Sequence, residues 1–530
     1  MEMTERKRRK PLVFLAALLI LAMIATAGCG NNNNGSNGGN GNAPANNASG
    51  GDNAAAGNGG SEGNAGGGNA DSGNGAGAPD TSEFVKLTWY MPPPLDPRPN
   101  EANVMKYLNE ILKEKINASL EFKFIDWSTY AQKIKVAGAS GEEFDIFSDL
   151  GQIGFSQNVS SGIALELDDL INKYGQDIVK KVPQQAWTAV TSKGKKYGIA
   201  NPSAWITSFN IAFRKDIADK YNIDYNSIHN WKDLEPTLAM LKEKEPDLIP
   251  FLGNLSMPQT MDMISPMIGY DTVDGKWKTQ FDNQNWIDTL KLQHDWFTKG
   301  YTPKKVITDS IAEFKTGRYA VAGYHVYDKS FVKTSTDFGR PMVATPLDFT
   351  NVVTGSGIRS VVTYISKTSK HADRAMMLIN LLYQDKEVFN KFAYGVEGDD
   401  WNYVSGQGTD NPTVKTKDQL GWAMWHPWIA SLWDQWPSNW NSQEVLDGLK
   451  SAIDNAEYSP YTGFVFDSTP VKKEMAQIDA MATELQTLYM ANDIDAKIAQ
   501  YKEKLKRAGL DKVLGEIEKQ VDDWKAANPQ

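Results

Sequence analysis

Residues 84–127 read FVKLTWYMPPPLDPRPNEANVMKYLNEILKEKINASLEFKFIDW. Val85, Leu87 and Trp89 alternate with Lys86, Thr88 and Tyr90, the period of two expected of a strand with one buried face. The run stops at Pro92, Pro93 and Pro94, which offer no N–H to a ladder and form a rigid loop. Val104, Leu108, Ile111 and Leu112 then fall at helical spacing, and Leu120, Phe122 and Phe124 alternate again before Asp126 and Trp127. Strand, helix and strand in succession predict a βαβ unit, and with it an α/β fold built on a mostly parallel sheet. A third short strand is expected at FDIFSD, residues 144–149, beyond a turn at Gly141. In such sheets the ligand crevice is lined by loops at the carboxyl ends of the strands. Met91, Asp126, Trp127, Ser148 and Asp149 sit at such ends, and Asp126, Trp127 and Asp149 are candidate ligand contacts. A solvated turn residue is the plainer reading of each.

The chain before this unit has a different character. MEMTERKRRK is followed by the apolar run from Pro11 to Ala27 and by small residues before Cys29, the pattern of an export signal over residues 1–28. An uncleaved anchor helix is the alternative. Cys29 is the only cysteine, so an exported form of this chain has no internal disulfide and the thiol is expected to serve attachment. Acyl chains such as palmitate on that cysteine would anchor stably where two are present and only marginally where one is. Residues 29–83 are almost entirely Asn, Gly and Ala, without Lys or Arg, and cannot build a core. As a flexible coil they would span roughly 40 Å, enough to hold a folded body clear of a membrane. Without residues 1–28 the chain carries 50 Lys and Arg against 63 Asp and Glu, a balance that argues against a nucleic-acid partner. The remainder is too long for one ordinary core and implies two domains or lobes.

GKKYGIANPSAWITSFNIAFRKDIADKYNID, residues 194–224, resembles the interlobe crossing of extracellular solute-binding proteins of ATP-driven (ABC) importers. A Gly-Lys-x-Tyr-Gly-Ile segment leads from one lobe to the other, and Phe213, Arg214, Lys215 and Asp216 match the motif that ends the next strand. NWKDLEPTLAMLKEKEP follows, then FKTGRYAVAGYHVYD at 314–328, and ISKTSKHADRAMMLINLLYQDKEV resembles the return to the first lobe. Three further segments resemble a lipoprotein branch from Gram-positive bacteria linked mainly to complex saccharides: GVEGDDW at 395–401, GFVFDSTPVKKEMAQI at 463–478 and the final AGLDKVLGEIEKQVDDWKAAN. Cys29 is similar to the cysteine of that branch's lipobox, although Thr26 replaces its usual aliphatic residue, and Ala200 stands where the family often has proline. The resemblance implies a two-lobed periplasmic-binding-protein-like fold of type II with a hinge between the lobes. It places residues 84–202 with 356–455 in one lobe and 203–355 with 456–530 in the other. It also implies permease subunits in the membrane as partners, a monomer, and a place on the outer face of the cytoplasmic membrane through lipidated Cys29.

Residues 422–440, WAMWHPWIASLWDQWPSNW, hold six tryptophans, and Pro427 and Pro437 forbid one continuous helix through them. A flat indole suits the C–H face of a pyranose, while the hydroxyl edges need carboxylates, amides or guanidinium groups, because buried hydroxyls left unpaired cost more than stacking returns. Asp126 with Trp127, Asp149, Trp205, Tyr324 with His325 and Tyr327, Glu397 with Trp401, and Trp425 and Trp428 supply that mixture. Plain core packing is the competing reading for Trp127 and Trp205 and for most of the six. The function expected is capture of an oligosaccharide between two lobes that close on it, with no catalytic residue, cofactor or metal. The chain has no G-x-x-x-x-G-K-S/T loop, G-x-S-x-G elbow or H-E-x-x-H helix. Two alternatives stay open: a surface glycoside hydrolase using Glu397 with Asp399 or Asp400, and a tethered adhesin with an aromatic strip and no closable crevice. The C-terminal stripes Ile494, Ile498, Tyr501, Leu505 and Leu510, Val513, Leu514, Ile517, Val521, Trp524 read as packing helices around a turn at Gly509.

Overall fold

The computed structural model describes residues 80–94, 97–202, 205, 209–255, 260–307, 310–325, 338–347, 352–417 and 419–528. Cys29 and the segments expected to be signal and linker lie outside them, except for residues 80–83.

The βαβ unit forms as its periodicity predicts. Strands Val85–Met91 and Ala118–Phe124 pair in parallel, Val85 opposite Ala118 and Met91 opposite Phe124, and helix Glu101–Ile116 connects them. The helix buries Val104, Leu108, Leu112 and Ile116, and ends at Asn117 in the left-handed region that Asn tolerates better than most residues. Ala118–Phe124 is the edge of a five-stranded sheet, whose order continues through Val85–Met91, Ile146–Asp149, Val362–Ile365 and Ile199–Ala200. An edge strand leaves backbone groups unpaired. Here Asn109 of the helix answers them, its side chain accepting from Leu120 N at 2.7 Å and donating to Leu120 O at 3.1 Å. Val362–Ile365 runs antiparallel to both of its neighbours, so four of the five strands, Ile199–Ala200 among them, point the same way. The sheet is thus mostly parallel in direction, as expected, and its one reversed strand comes from the segment by which the chain returns to it.

A second sheet of four strands has the order Met342–Pro346, Phe209–Arg214, Tyr319–His325, Ile249–Leu252, with a parallel pair only at its end. Apolar clusters lie against it, one with Phe213, Leu238, Trp231 and Trp296, the other with Phe314, Tyr319 and Phe338. A separate, larger core surrounds the first sheet. The chain therefore has the two-lobed α/β architecture of a type II binding protein.

A small antiparallel sheet, Met261–Met263, Ile268–Asp271 and Lys276–Thr279, packs with the C-terminal helices. Helix Ile494–Arg507 buries Ile494, Ile498, Tyr501 and Leu505; Gly509 takes φ 93°; helix Leu510–Ala527 buries Val513, Ile517 and Val521. Helix Gln284–Thr298 joins this module to the four-stranded sheet, giving Trp286 and Leu290 to one core and Trp296 to the other.

Candidate functional site

The three parallel strands end at Met91, Phe124 and Asp149, and the loops beyond them carry the first candidates. After Phe124 the chain turns on Asp126, whose Oδ1 accepts from the backbone N–H and the hydroxyl of Ser128. These donors hold its carboxyl below the usual carboxylate range. The turn presents Trp127, whose Nε1 donates to Pro93 O at 3.3 Å across the proline loop, while 44% of the residue stays in solvent. An exposed indole is costly to leave in water, and its tie to a triple proline fixes its position without covering it.

The tryptophan segment comes up beside it. No α-helix forms there: the prolines leave two single 3-10 turns, His426–Trp428 and Leu432–Asp434. Trp428 meets Trp127 with ring centroids 5.5 Å apart at 66°, and Trp425 meets Trp428 at 5.7 Å and 86°. Trp127, Trp425 and Trp428 thus form one angled ledge, with Asp126 at its edge. Trp422 is buried and donates to Phe392 O at 2.9 Å, and Trp436 is buried with Tyr394 and Trp401, so these two serve the core.

Three anchors set the height of the ledge. Asn201, fully buried where the chain leaves the first sheet, donates to Pro427 O at 2.9 Å and accepts from the Tyr383 hydroxyl at 2.9 Å. Leu432 N reaches Pro202 O, and Met424 N donates to Ala393 O. Beneath, the His426 ring stands edge-on to Tyr394 and Phe389, and burial pushes its pKa down to about 3. A neutral imidazole is therefore a packing element here. Asn201 lies inside the crossing segment 194–224, and Pro202 beside it is the one local signal in the sequence for such an anchor.

The other candidates fall elsewhere. Asp149 is 1% exposed and spends both oxygens on its own loop, accepting from the N–H groups of Gln152, Ile153 and Gly154 and from Asn158 Nδ2. Trp205 is buried in the core of the first sheet, its ring N–H without a partner among the described residues. Trp401 is buried too, donating to Gly395 O at 3.1 Å. Glu397 is exposed and Asp399 accepts from Asn103. Asp400 is buried with Asn100 Nδ2 at 2.6 Å, and burial holds its carboxyl above the usual range. Tyr324 and His325 close the strand Tyr319–His325 of the four-stranded sheet, paired through their backbones with Asn210 and Phe209; their side chains and the whole of Tyr327 lie outside the described residues. A groove of about 1070 Å³, lined by Lys173, Asn380, Gln384, Lys386, Tyr403 and Asp410 among others, contains none of the candidates. Among the described residues no cluster of His, Cys, Asp and Glu is arranged to hold a metal ion.

The two sheets with their separate cores and the crossing between them have the form of a two-lobed binding protein, and family comparison agrees. The family described as bacterial extracellular solute-binding protein matches residues 98–389, more than half of the chain, and this chain belongs to it. A second family, described as a domain of unknown function, matches residues 460–526. The chain is 28% identical over 446 residues to a carbohydrate ABC transporter substrate-binding protein of Streptococcus pneumoniae, covering 78% of this chain and 86% of that one. Its structure is similar to that of the N-glycan transport solute-binding protein NgtS of the same species, with TM-score 0.74, 25% identity, and 84% of this chain and 100% of the other covered. Similarity extends to the same protein in complex with Man5GlcNAc, at TM-score 0.66, 24% identity and the same coverage.

Proposed function

We propose that this chain is the substrate-binding component of a carbohydrate ABC importer, closing its two lobes on an oligosaccharide that lies against the ledge of Trp127, Trp425 and Trp428. The observation that carries the reading is Trp127: a large indole held in place by its N–H, left open to water, and set beside two more indoles where the parallel strands end. Sugar rings offer apolar C–H faces to such a ledge and hydroxyl edges to polar groups, here Asp126 and, from the second lobe, Tyr324, His325 and Tyr327. Residues 84–202 with 356–455 form the first lobe and 203–355 with 456–530 the second; the separate cores of the two sheets, and the attachment of the C-terminal helices to the second, support this division. Asp149, Trp205 and Trp401 serve the fold in this reading.

Family membership and the carbohydrate-binding relatives support a binding role over a hydrolytic one. So does the setting of Asp400, half of the carboxylate pair a hydrolase would need, because it is buried away from solvent and its Oδ2 accepts from Asn100 Nδ2 and Val396 N. Cys29 carries the lipid, the Asn/Gly/Ala segment is the tether, and the closed monomer docks on permease subunits.

The decisive measurement is titration calorimetry of purified protein against Man5GlcNAc and a panel of other oligosaccharides, parent beside Trp127→Ala. Loss of one stacking face removes about 1–2 kcal/mol, a roughly five- to thirtyfold rise in Kd with an unchanged melting temperature. Equal affinities in the two proteins remove the ledge from the site, and steady release of reducing ends from labelled oligosaccharide establishes a hydrolase instead.

A further inference from the structure

Three stretches of chain pass between the lobes, and all of them meet at one short helix. The first crossing brings Trp205, whose carbonyl lies within 3.3 Å of the place a side chain on Gly357 would occupy. The second contains strand Val352–Val353 and helix Gly355–Ile358; the third contains strand Glu457–Tyr458. The two strands pair in parallel, and Ser459 N donates to Val353 O at 2.9 Å.

Each lobe sends a group to that helix. Asp262, from the small sheet, is 2% exposed and accepts from the N–H groups of Gly355 at 3.2 Å and Ser356 at 3.3 Å. Arg359, just past the helix, donates through Nη1 to Ala189 O at 3.2 Å and to Thr462 O at 3.1 Å. Ala189 belongs to the core of the first sheet, whereas Thr462 lies at the start of the C-terminal region. One guanidinium therefore joins the first lobe to residues 460–526, with the Asp262 charge acting on it from the second lobe.

The fit around this tie is close. A side-chain carbon on Gly355 would stand 2.5 Å from Thr462 O, and one on Gly463 would stand 2.4 Å from Thr188 Cγ2, on the helix Gln184–Ala189. On its other side the segment is clamped by rings: Tyr461 lies 4.5 Å from Tyr270 and 5.3 Å from Trp277, and Phe464 lies 5.6 Å from Trp277. The helices that follow are anchored to the second lobe through helix Gln284–Thr298, where His294 Nδ1 lies 2.9 Å from Tyr489 O.

We infer that residues 460–526, the region whose family is described as of unknown function, form a strut that sets the angle between the lobes, with Arg359 as its latch. The strut is rooted in the second lobe by its helices and bears on the first lobe at Thr188 and Ala189. Rotation of one lobe against the other must slide Thr462 and Gly463 along that helix, so it must stretch or break the two Arg359 hydrogen bonds. Charged donors, even half-buried ones such as Arg359, resist such separation more than neutral ones. The inference rests on the two-lobed closure proposed above and adds what fixes the resting state.

Pulsed spin-label distance measurement on the full chain tests it, with Cys29→Ser to leave Lys113→Cys and Glu243→Cys as the only labelled thiols; both positions are exposed, one in each proposed lobe. In the parent without ligand the distance distribution is expected to be narrow. Arg359→Met should broaden it and shift its mean, and Gly463→Ala, which pushes on Thr188 without touching the arginine, should shift it as well. Affinity for Man5GlcNAc should change by about three- to tenfold in each variant, since the angle sets how much of the population is ready to close. Distributions in both variants that superimpose on the parent's overturn the strut. Should Arg359→Met not fold, Gly463→Ala with Arg359→Lys decides the question. A parent whose distance does not shorten with any glycan it binds counts against closure, and leaves the strut to be judged on the ligand-free distances.

Discussion

Trp127 in the ledge and His426 beneath it are two rings in opposite settings, one kept in water and one stripped of it. In the proposed function the open ring answers to ligand; the buried ring answers to pH. His426 is held neutral, with its pKa pushed down to about 3, while the unfolded chain's imidazole titrates at about 6.5. Above about pH 6.5 both states are uncharged there and this group costs nothing. Below it the unfolded chain takes up a proton that the folded chain refuses, so stability falls as pH drops, by at most about 1.4 kcal/mol per unit, until the folded value is reached. Asp400, held high by burial, acts with the opposite sign, but only where carboxylates titrate. Denaturant melts at pH 7.5 and 5.5 therefore isolate the histidine: the parent should lose about 1.4 kcal/mol between them, and His426→Phe, which keeps a ring against Phe389 and Tyr394, should lose little. An identical loss in both proteins would show that the imidazole is charged or reaches water. At this scale the sequence was least legible. Six indoles in 19 residues promised a ledge, yet which of them faces out is decided by partners hundreds of residues away, such as Asn201 and Trp127. Asp149 was misleading for a local reason, since a carboxylate at a strand end accepts its own loop's N–H groups as readily as a ligand's hydroxyls.

The elements themselves were largely written in their periodicity. The opening βαβ unit and the two C-terminal helices each bury the positions that their spacing of two or 3.6 selects, because burial is what that spacing serves. What periodicity does not encode is how an element is held at its ends. Arg374, in the helix Ala372–Gln384, is 6% exposed and donates to four carbonyls, those of Asp80, Glu83, Ile116 and Asn117. It closes the point where the Asn/Gly/Ala stretch gives way to strand Val85–Met91, and nothing in the pattern around it sets it apart. Replacing it with Met leaves buried carbonyls without donors and should cost about 2–4 kcal/mol, felt first at the start of that strand. Hydrogen exchange would register this as faster exchange at residues 85–88 than in the parent, with the C-terminal helices unchanged. Uniform acceleration, or none, would mean that the strand is held by its ladder alone.

For the whole molecule the question is whether ligand binding and lobe movement are one event. A ligand that touches both lobes has more contacts in the closed state than in the open one, and that difference is the whole of the energy available to shift the population. On the proposed reading the ledge belongs to the first lobe and the strand Tyr319–His325 to the second, and a sugar on Trp127 would gain its remaining contacts only by closure. Two signals should then rise together as glycan is added: a fall in the radius of gyration by solution scattering, and a gain in stability of about 2.7 kcal/mol when ligand reaches a hundredfold over Kd. In Trp127→Ala both should move to higher glycan concentration by the same factor, since a single event underlies them. An adhesin would stabilise without compaction, and a hydrolase would lose the compact state as its substrate is consumed. Compaction in Trp127→Ala at the parent's concentration would place the sugar somewhere other than the ledge, even if the lobes close as expected.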